Sequence, residues 1–455
     1  MDHTARFQTH QQFYATGCTR EAAYRRNALQ RLETAILHHE QEILTALHED
    51  LGKAAFEGFV TEVGLVMEEL KTAIGHVMRW SKPRKAPSPL VHFPSCSRIY
   101  PSPYGVVLIM SPWNYPFQLT MVPLIGAIAA GNVCLVKPSE YAPHTADVIQ
   151  VILSEVFPEE YVSVVRGGRT ANQSLLTLPF DYIFFTGSPT VGHVVMESAA
   201  KHLTPITLEL GGKSPCVVDE TAQIETAARR IIWGKLLNAG QTCVAPDYIL
   251  VHRSVQERLV SAMKDAIRQM FGEHPLTHAD YPKIINEKHF HRLQGLLSSG
   301  KTAFGGGWDE GIMRIEPTLL TDVDWTSPVM QEEIFGPILP ILPFDQLEEA
   351  WATIETHPHP LAFYYFTQNK SRAEEAIHRL SFGGGCINDV VIHVSNGAIP
   401  FGGMGNSGMG KYHGKATFDT FTHEKSIMHR GTWLDIPLRY APYHQRLKQL
   451  RRWLG

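Results

Sequence analysis

Cys243 closes the run NAGQTC, where Gly240 and small neighbours leave room for a thiol to face a cleft. A thiol attacks carbon only as the thiolate, so a nucleophilic role asks for N–H dipoles or cations close by. An inert buried thiol is the competing reading. Glu209 ends the apolar run PITLEL and precedes two glycines. A carboxylate at a strand exit in apolar surroundings has a raised pKa and suits a general base. It could equally cap a helix or pair with Lys213. Asn114 lies in SPWNYP, where its amide can donate to a developing oxyanion, with Trp113, Tyr115 and Phe117 lining an apolar pocket. A structural turn between prolines explains the same residues.

Gly187 and Gly192 bracket FFTGSPTVG, a strand–turn–helix pattern. Glycines permit a tight turn and close backbone approach, and a helix N-terminus offers free N–H groups to a pyrophosphate. The run is neither G-x-G-x-x-G nor a P-loop, and an ordinary strand-to-helix turn remains open. Lys137 and Glu140 in KPSE suit ribose hydroxyls or a surface ion pair. The 23 histidines include HFH at 289–291 and HPHP at 357–360, but none shows metal-ligand spacing, so no metal is expected. G-x-S-x-G is absent.

The elements that must position these groups alternate. Apolar runs at 105–113, 132–139, 162–168, 181–187 and 205–210 read as strands. Helical patterns at 119–130, 143–157 and 190–202 separate them. Continuous Val/Ile/Leu/Phe runs between amphipathic helices indicate a parallel sheet covered on both faces. Right-handed crossovers then gather the strand ends, and the ligand, along one edge. After Gly212 the pattern restarts with a helix at 222–238, a strand at 248–252 and a helix at 254–271. Strands at 338–344, 362–367 and 386–394 complete a second α/β lobe. Residues 20–80 read as helices, from Leu29, Leu32, Ile36, Ile43, Leu44 and Leu47. The proline-rich 81–103 reads as a linker or extended arm, and glycine-rich 397–414 as turns.

The chain has 455 residues, 44% hydrophobic and 19% charged, which is globular and too apolar for disorder. With 41 basic and 45 acidic residues it gives no electrostatic reason to expect nucleic acid or an anionic membrane. Six cysteines are too sparse for a disulfide scaffold and fit a reducing compartment. No signal h-region is visible at the start. The uncharged stretch Ile99–Val136 is long enough to span a bilayer, but it carries five prolines and polar Asn114, Gln118 and Asn132, so it is read as buried soluble structure. The C-terminal LKQLRRWLG is basic and short, unlike a tail anchor.

PWNYP, KPSE, FTGSPTVG, LELGGKSP, GQTC, EEIFGP and PFGGMGNSGMGKYHG occur in that order, from about residue 20 to 430. In this the chain resembles the NAD(P)-dependent aldehyde dehydrogenase superfamily. CINDVVIH and YHGKATFDTFTH resemble its class 3 branch of fatty, aromatic and coniferyl aldehyde dehydrogenases. The resemblance implies an α/β fold with a Rossmann-type cofactor domain (1–82 and 104–209) and an α/β catalytic domain (210–395). Bridging segments (83–103 and 396–430) would join two subunits of a homodimer, followed by a tail (431–455). Cys243 would be the nucleophile and Glu209 the base, with Asn114 and the Cys243 N–H as the oxyanion hole. NAD or NADP would lie along Lys137, Glu140 and the turn Gly187, Ser188, Pro189, Thr190, Val191 and Gly192, with Glu333 on the nicotinamide ribose and Phe335 beside the nicotinamide. Tyr115, Trp233, Ile392 and His393 would line a channel for an aromatic or medium-to-long aliphatic aldehyde. A cytoplasmic enzyme is implied, without membrane insertion. The alternatives are a CoA-acylating dehydrogenase, which needs no water-activating Glu209, and a non-catalytic protein on the same fold.

Overall fold

Helices at His3–Ala15, Ala22–His38, Glu40–Leu51 and Gly64–Trp80 open the chain. Leu29, Leu32, Ile36, Ile43 and Leu47 are all fully buried, so the helical apolar spacing marks the core face. The computed structural model describes residues 2–443 and 446–454.

The proline-rich segment is ordered as sheet. β1 (Arg84–Ala86) pairs antiparallel with β2 (Ser95–Pro103), which pairs along its whole length with the strand Thr422–Arg430. Of the linker or extended arm expected from the prolines, the structure shows the arm, built of β-strands. β1 ends opposite Ile99, so Pro101 and Pro103 lie where β2 has a free edge and the ladder needs fewer donors.

β3 (Val106–Met110), β4 (Val133–Lys137), β5 (Val162–Val164), β6 (Tyr182–Thr186) and β7 (Ile206–Glu209) form a parallel sheet in the order β7-β6-β3-β4-β5. Every residue of β3, β4 and β6 is buried, as runs covered on both faces require. Helices Gln118–Ala130, Pro143–Val156 and Pro189–Ala200 cover it. The uncharged stretch thus resolves into strand, helix and strand. No helix among the described residues is long and apolar enough to cross a membrane.

The second sheet holds β8 (Pro215–Val218), β9 (Tyr248–His252) and β10 (Lys301–Phe304). A two-stranded ribbon of β11 (Trp308–Asp309) and β12 (Arg314–Ile315) intervenes. β13 (Thr318–Thr321), β14 (Ile338–Phe344), β15 (Ala362–Phe366) and β16 (Gly384–Ile387) complete the order β10-β13-β14-β9-β8-β15-β16, parallel except at β10. The strand expected over 386–394 stops at Ile387. Asn388 (φ 59°) and Val391 (φ 64°) take left-handed backbone, and Ile392–Ser395 turn as a 3-10 helix.

The glycine-rich run is not turns throughout. β17 (Gly408–Met409) adds antiparallel to β7, with Gly408 opposite Glu209. Gly408 has φ 146°, and a Cβ there would lie 2.3 Å from the Leu208 carbonyl oxygen. Only glycine permits that approach. β18 (Thr422–Arg430) closes the small sheet β1-β2-β18.

Candidate active site

The exits of the parallel strands carry most of the residues singled out from sequence. Asn114 follows β3, Lys137 ends β4 with Glu140 just after it, the 187–192 turn follows β6 and Glu209 ends β7. Cys243 arrives from the second lobe, after the helix Ile224–Leu236 and a left-handed run at Asn238 (φ 51°), Ala239 (φ 51°) and Gly240 (φ 77°). Hydrogen bonds staple its loop to that of Asn114. Asn114 Nδ2 donates to the Gln241 carbonyl at 3.0 Å, and its own carbonyl accepts from Asn238 Nδ2 at 2.8 Å. The Tyr115 and Thr242 hydroxyls share a hydrogen bond at 2.6 Å. One hydrogen of the Asn114 amide is thus used for support, leaving the other for a ligand.

Glu209 is 3% exposed, and neither carboxyl oxygen has a hydrogen-bond partner. Burial pushes its pKa well above the usual carboxylate range. Pairing with Lys213 does not occur, because that ammonium bonds Asp247 and the Val329 and Glu332 carbonyls. Cys243 keeps partial exposure. Burial pushes its thiol up to about 12, with the Glu333 and Glu209 carboxyls adding and the N–H groups of Cys243 and Val244 opposing. Burial and the two carboxyls therefore disfavour the thiolate. Burial and Asp247 push the Glu333 carboxyl up to about 8. A Cβ at Gly211 would lie 2.0 Å from Glu333 Oε2, so glycine leaves room for that carboxylate. Tyr412, which sequence did not single out, is buried close enough to Glu209 and Cys243 for both to raise its hydroxyl.

Most of the residues expected to hold the dinucleotide lie at the ends of β4 and β6. Burial lowers Lys137 to about 8 with Glu140 opposing, and its ammonium donates to the Pro138 carbonyl at 2.8 Å. A Cβ at Gly168 would lie 1.8 Å from Glu140 Oε2. Ser188 caps the helix, accepting from the Val191 N–H at 3.4 Å, and Pro189 takes the first helical position. Gly192 sits against Leu210, where a Cβ would come within 2.8 Å. Thr190 and Val191 are exposed on the first turn. Phe335, at φ 50°, meets the Trp113 ring edge-on at 5.3 Å. Glycines where side chains would collide, beside the positive end of the 189–200 helix, fit an extended dinucleotide.

Tyr115 is buried beside the Cys243 loop, whereas Trp233 and Ile392 are exposed. Gly234 brings the Trp233 helix against Val390 and Val391, so Trp233 and Ile392 flank one contact. The His393 ring lies 6.0 Å from Tyr364 and from Phe401, and burial holds it at about 4, neutral at physiological pH. Asn238 and Gln241 were also missed, although they sit beside and inside the NAGQTC motif. Lys53, Glu57 and Glu62 gave no sign in sequence, because charges in a helical stretch normally face water.

The model of the aldehyde dehydrogenase family matches residues 10–427. A 4,4'-diaponeurosporen-aldehyde dehydrogenase of Staphylococcus aureus is 48% identical, over 96% of this chain and 96% of that one. A dimeric NADP-preferring aldehyde dehydrogenase of Rattus norvegicus is 44% identical, over 91% and 92%. The solved substrate-bound Staphylococcus aureus AldH superposes with a TM-score of 0.98 at 47% identity, covering 99% of both chains. The chain belongs to the aldehyde dehydrogenase family. It is an enzyme that oxidises an aldehyde with NAD or NADP.

Proposed function

We propose that Cys243 is the nucleophile, Asn114 the oxyanion donor and Glu209 the base that activates water for hydrolysis of the acyl-enzyme. The observation that carries this reading is the stapling of the Asn114 and Cys243 loops at 3.0 and 2.8 Å, beside a buried Glu209 without hydrogen-bond partners. The Cys243 sulfur adds to the aldehyde carbon as its proton passes to water, and charge moves to the oxygen. The free Asn114 amide hydrogen and the Cys243 N–H receive that charge; one such preorganised donor contributes about 3 kcal/mol. Bound NAD(P)+ supplies the acceptor for the hydride lost by the thiohemiacetal. Glu209 then takes a proton from water as the water attacks the thioester. Lys137 and Glu140 hold the adenosine ribose, the Gly187–Gly192 turn faces the pyrophosphate with Ser188 near a phosphate, and Glu333 and Phe335 hold the nicotinamide end.

A CoA-acylating reaction would not need a base at position 209. An unpaired acid in that place has no structural use, since burial without partners costs stability. Tyr115, Trp233, Ile392 and His393 line the entrance for an aromatic or medium-to-long aliphatic aldehyde. The 1–82 and 104–209 segments serve the cofactor, and 210–395 the nucleophile. The sheet β1-β2-β18 joins two subunits of a homodimer through exposed Leu90, Val91, Phe93, Ile427 and Met428. Six free thiols fit the reducing cytoplasm.

The test is a panel of aromatic and aliphatic aldehydes read at the NAD(P)H absorbance with each cofactor, for the native protein and Cys243→Ala. Turnover rising with chain length or aromaticity in the native protein, and none in Cys243→Ala, is expected. Residual dehydrogenase turnover in the variant would remove Cys243 from its role, and a preference for acetaldehyde would remove the substrate class.

A further inference from the structure

We infer that Lys53 is a positioning residue that holds the oxyanion arm in register with the nucleophile loop, an inference that rests on the roles proposed for Asn114 and Cys243. Lys53 is 1% exposed and its partner Glu62 is fully buried. A buried ion pair is weak evidence of stabilisation, because apolar residues of similar volume often do as well. Its geometry provides a better reason. The Lys53 ammonium donates to Glu62 Oε1 at 2.5 Å and to the Asn114 carbonyl at 3.1 Å, and lies 3.9 Å from the centre of the Tyr115 ring. Glu62 Oε2 accepts the N–H groups of Phe117 at 2.9 Å and Gln118 at 3.2 Å. One ion pair therefore grips the turn on both sides of Tyr115 and Pro116.

The opposite loop is held from the same place. Glu57 Oε1 accepts the N–H of Asn238 at 2.8 Å, where the backbone is left-handed. The Lys53 charge opposes the burial that raises the Glu57 carboxyl. Asn238 Nδ2 then reaches across to the same Asn114 carbonyl that Lys53 holds. The cation bonds Glu62 and acts on Glu57 through its charge; each carboxylate is bonded to one loop, and the cation shares an acceptor with the bridge between them. Neither Lys53 nor Glu62 is offered a substrate or cofactor atom by this arrangement. Their effect is on where Asn114 points. Misplacing a catalytic group by about 1 Å can cost about 100-fold in rate.

Lys53→Met alone would strand a buried carboxylate, so the test uses Lys53→Met/Glu62→Gln, which removes both charges together. Three readouts are taken on the full chain: the thermal melt, KM for a good aldehyde, and the first-turnover rate of NAD(P)H formation. Each is repeated in an Asn114→Ala background. A folded double variant should lose about 10- to 100-fold in first-turnover rate with KM within about threefold, since only transition-state alignment is lost. Asn114→Ala should cost about 100- to 1,000-fold in the native chain and under about tenfold in the double variant. A merely structural pair would move the melt and leave that coupling at zero. A native first-turnover rate in the folded double variant, or an equal Asn114→Ala factor in both backgrounds, overturns the inference while leaving the oxyanion reading intact. Asn114→Ala at full rate in the native chain would instead sink the oxyanion reading, and this inference with it. Should the double variant not fold, Glu62→Gln alone, with Glu57 still beside Lys53, is judged by the same coupling.

Discussion

Glu209→Gln separates the two halves of the reaction. The substitution is nearly isosteric, and the native carboxyl oxygens have no hydrogen-bond partners, so no bond is broken by it. The amide brings donors into a buried site, at a cost of about 1–3 kcal/mol if they stay unpaired. General-base catalysis is worth about 100- to 10,000-fold, or about 3–5 kcal/mol of barrier. Stopped-flow absorbance should therefore show one NAD(P)H per site at the native rate, then a steady state slower by about that factor. Intact-mass measurement should find the acyl group held on Cys243. Loss of the first-turnover burst with cofactor still bound would mean that Glu209 acts on the Cys243 proton; an unchanged steady state would place the base elsewhere. The same variant tests the buried acid by linkage. The unfolded carboxyl ionises near about 4.3, and the folded one at a higher pH because of burial. Between those values the folded state holds the extra proton, so this group's contribution to stability falls as pH rises. Gln does not titrate, so the variant should lack that descent.

Alkylation of Cys243 by iodoacetamide without cofactor, followed on its own peptide by mass spectrometry, should accelerate about tenfold per pH unit from about pH 7 to about pH 9, as for any thiol well below its pKa. A plateau near neutrality would contradict the thiol raised to about 12 by burial and neighbouring acids. In the small sheet, Ile427→Asp/Met428→Asp alters side chains that are 43% and 48% exposed and carry little internal packing. Sedimentation should shift from dimer to monomer, whereas an unchanged dimer would exclude that face as the interface.

The first sheet was legible because its strands are buried on both faces and its helices are amphipathic, so hydrophobic period alone separates them. Asn114, Glu209 and the 187–192 turn were legible for a related reason: polar or glycine residues ending apolar runs stand out. β8 was missed because Pro215–Val218 has only four residues and begins with proline. β17 was missed because its two residues hold only through contacts with β7, nearly 200 positions earlier in the chain. The extended reading of 386–394 failed at Asn388 and Val391, whose left-handed backbone is imposed by packing and runs against the β preference of valine. Lys53 and Glu62 lie in a stretch whose charge pattern looks solvated, and only the fold buries them.

The same distinction separates position from protonation. A loop after a helix, a strand end and a turn bring Cys243, Glu209 and Glu333 together, and sequence pattern marks the strand end most clearly. Their pKa values depend on how completely the cleft excludes water, which no local pattern records. Three acidic groups, each raised by burial, leave the free cleft with less negative charge than its composition suggests. Burial thus disfavours holding three anions there at once. Under the roles proposed for Cys243 and Asn114, charge is drawn onto the sulfur and then the oxygen, and the bond from Asn114 to the Gln241 carbonyl fixes the donor's direction before that charge arrives.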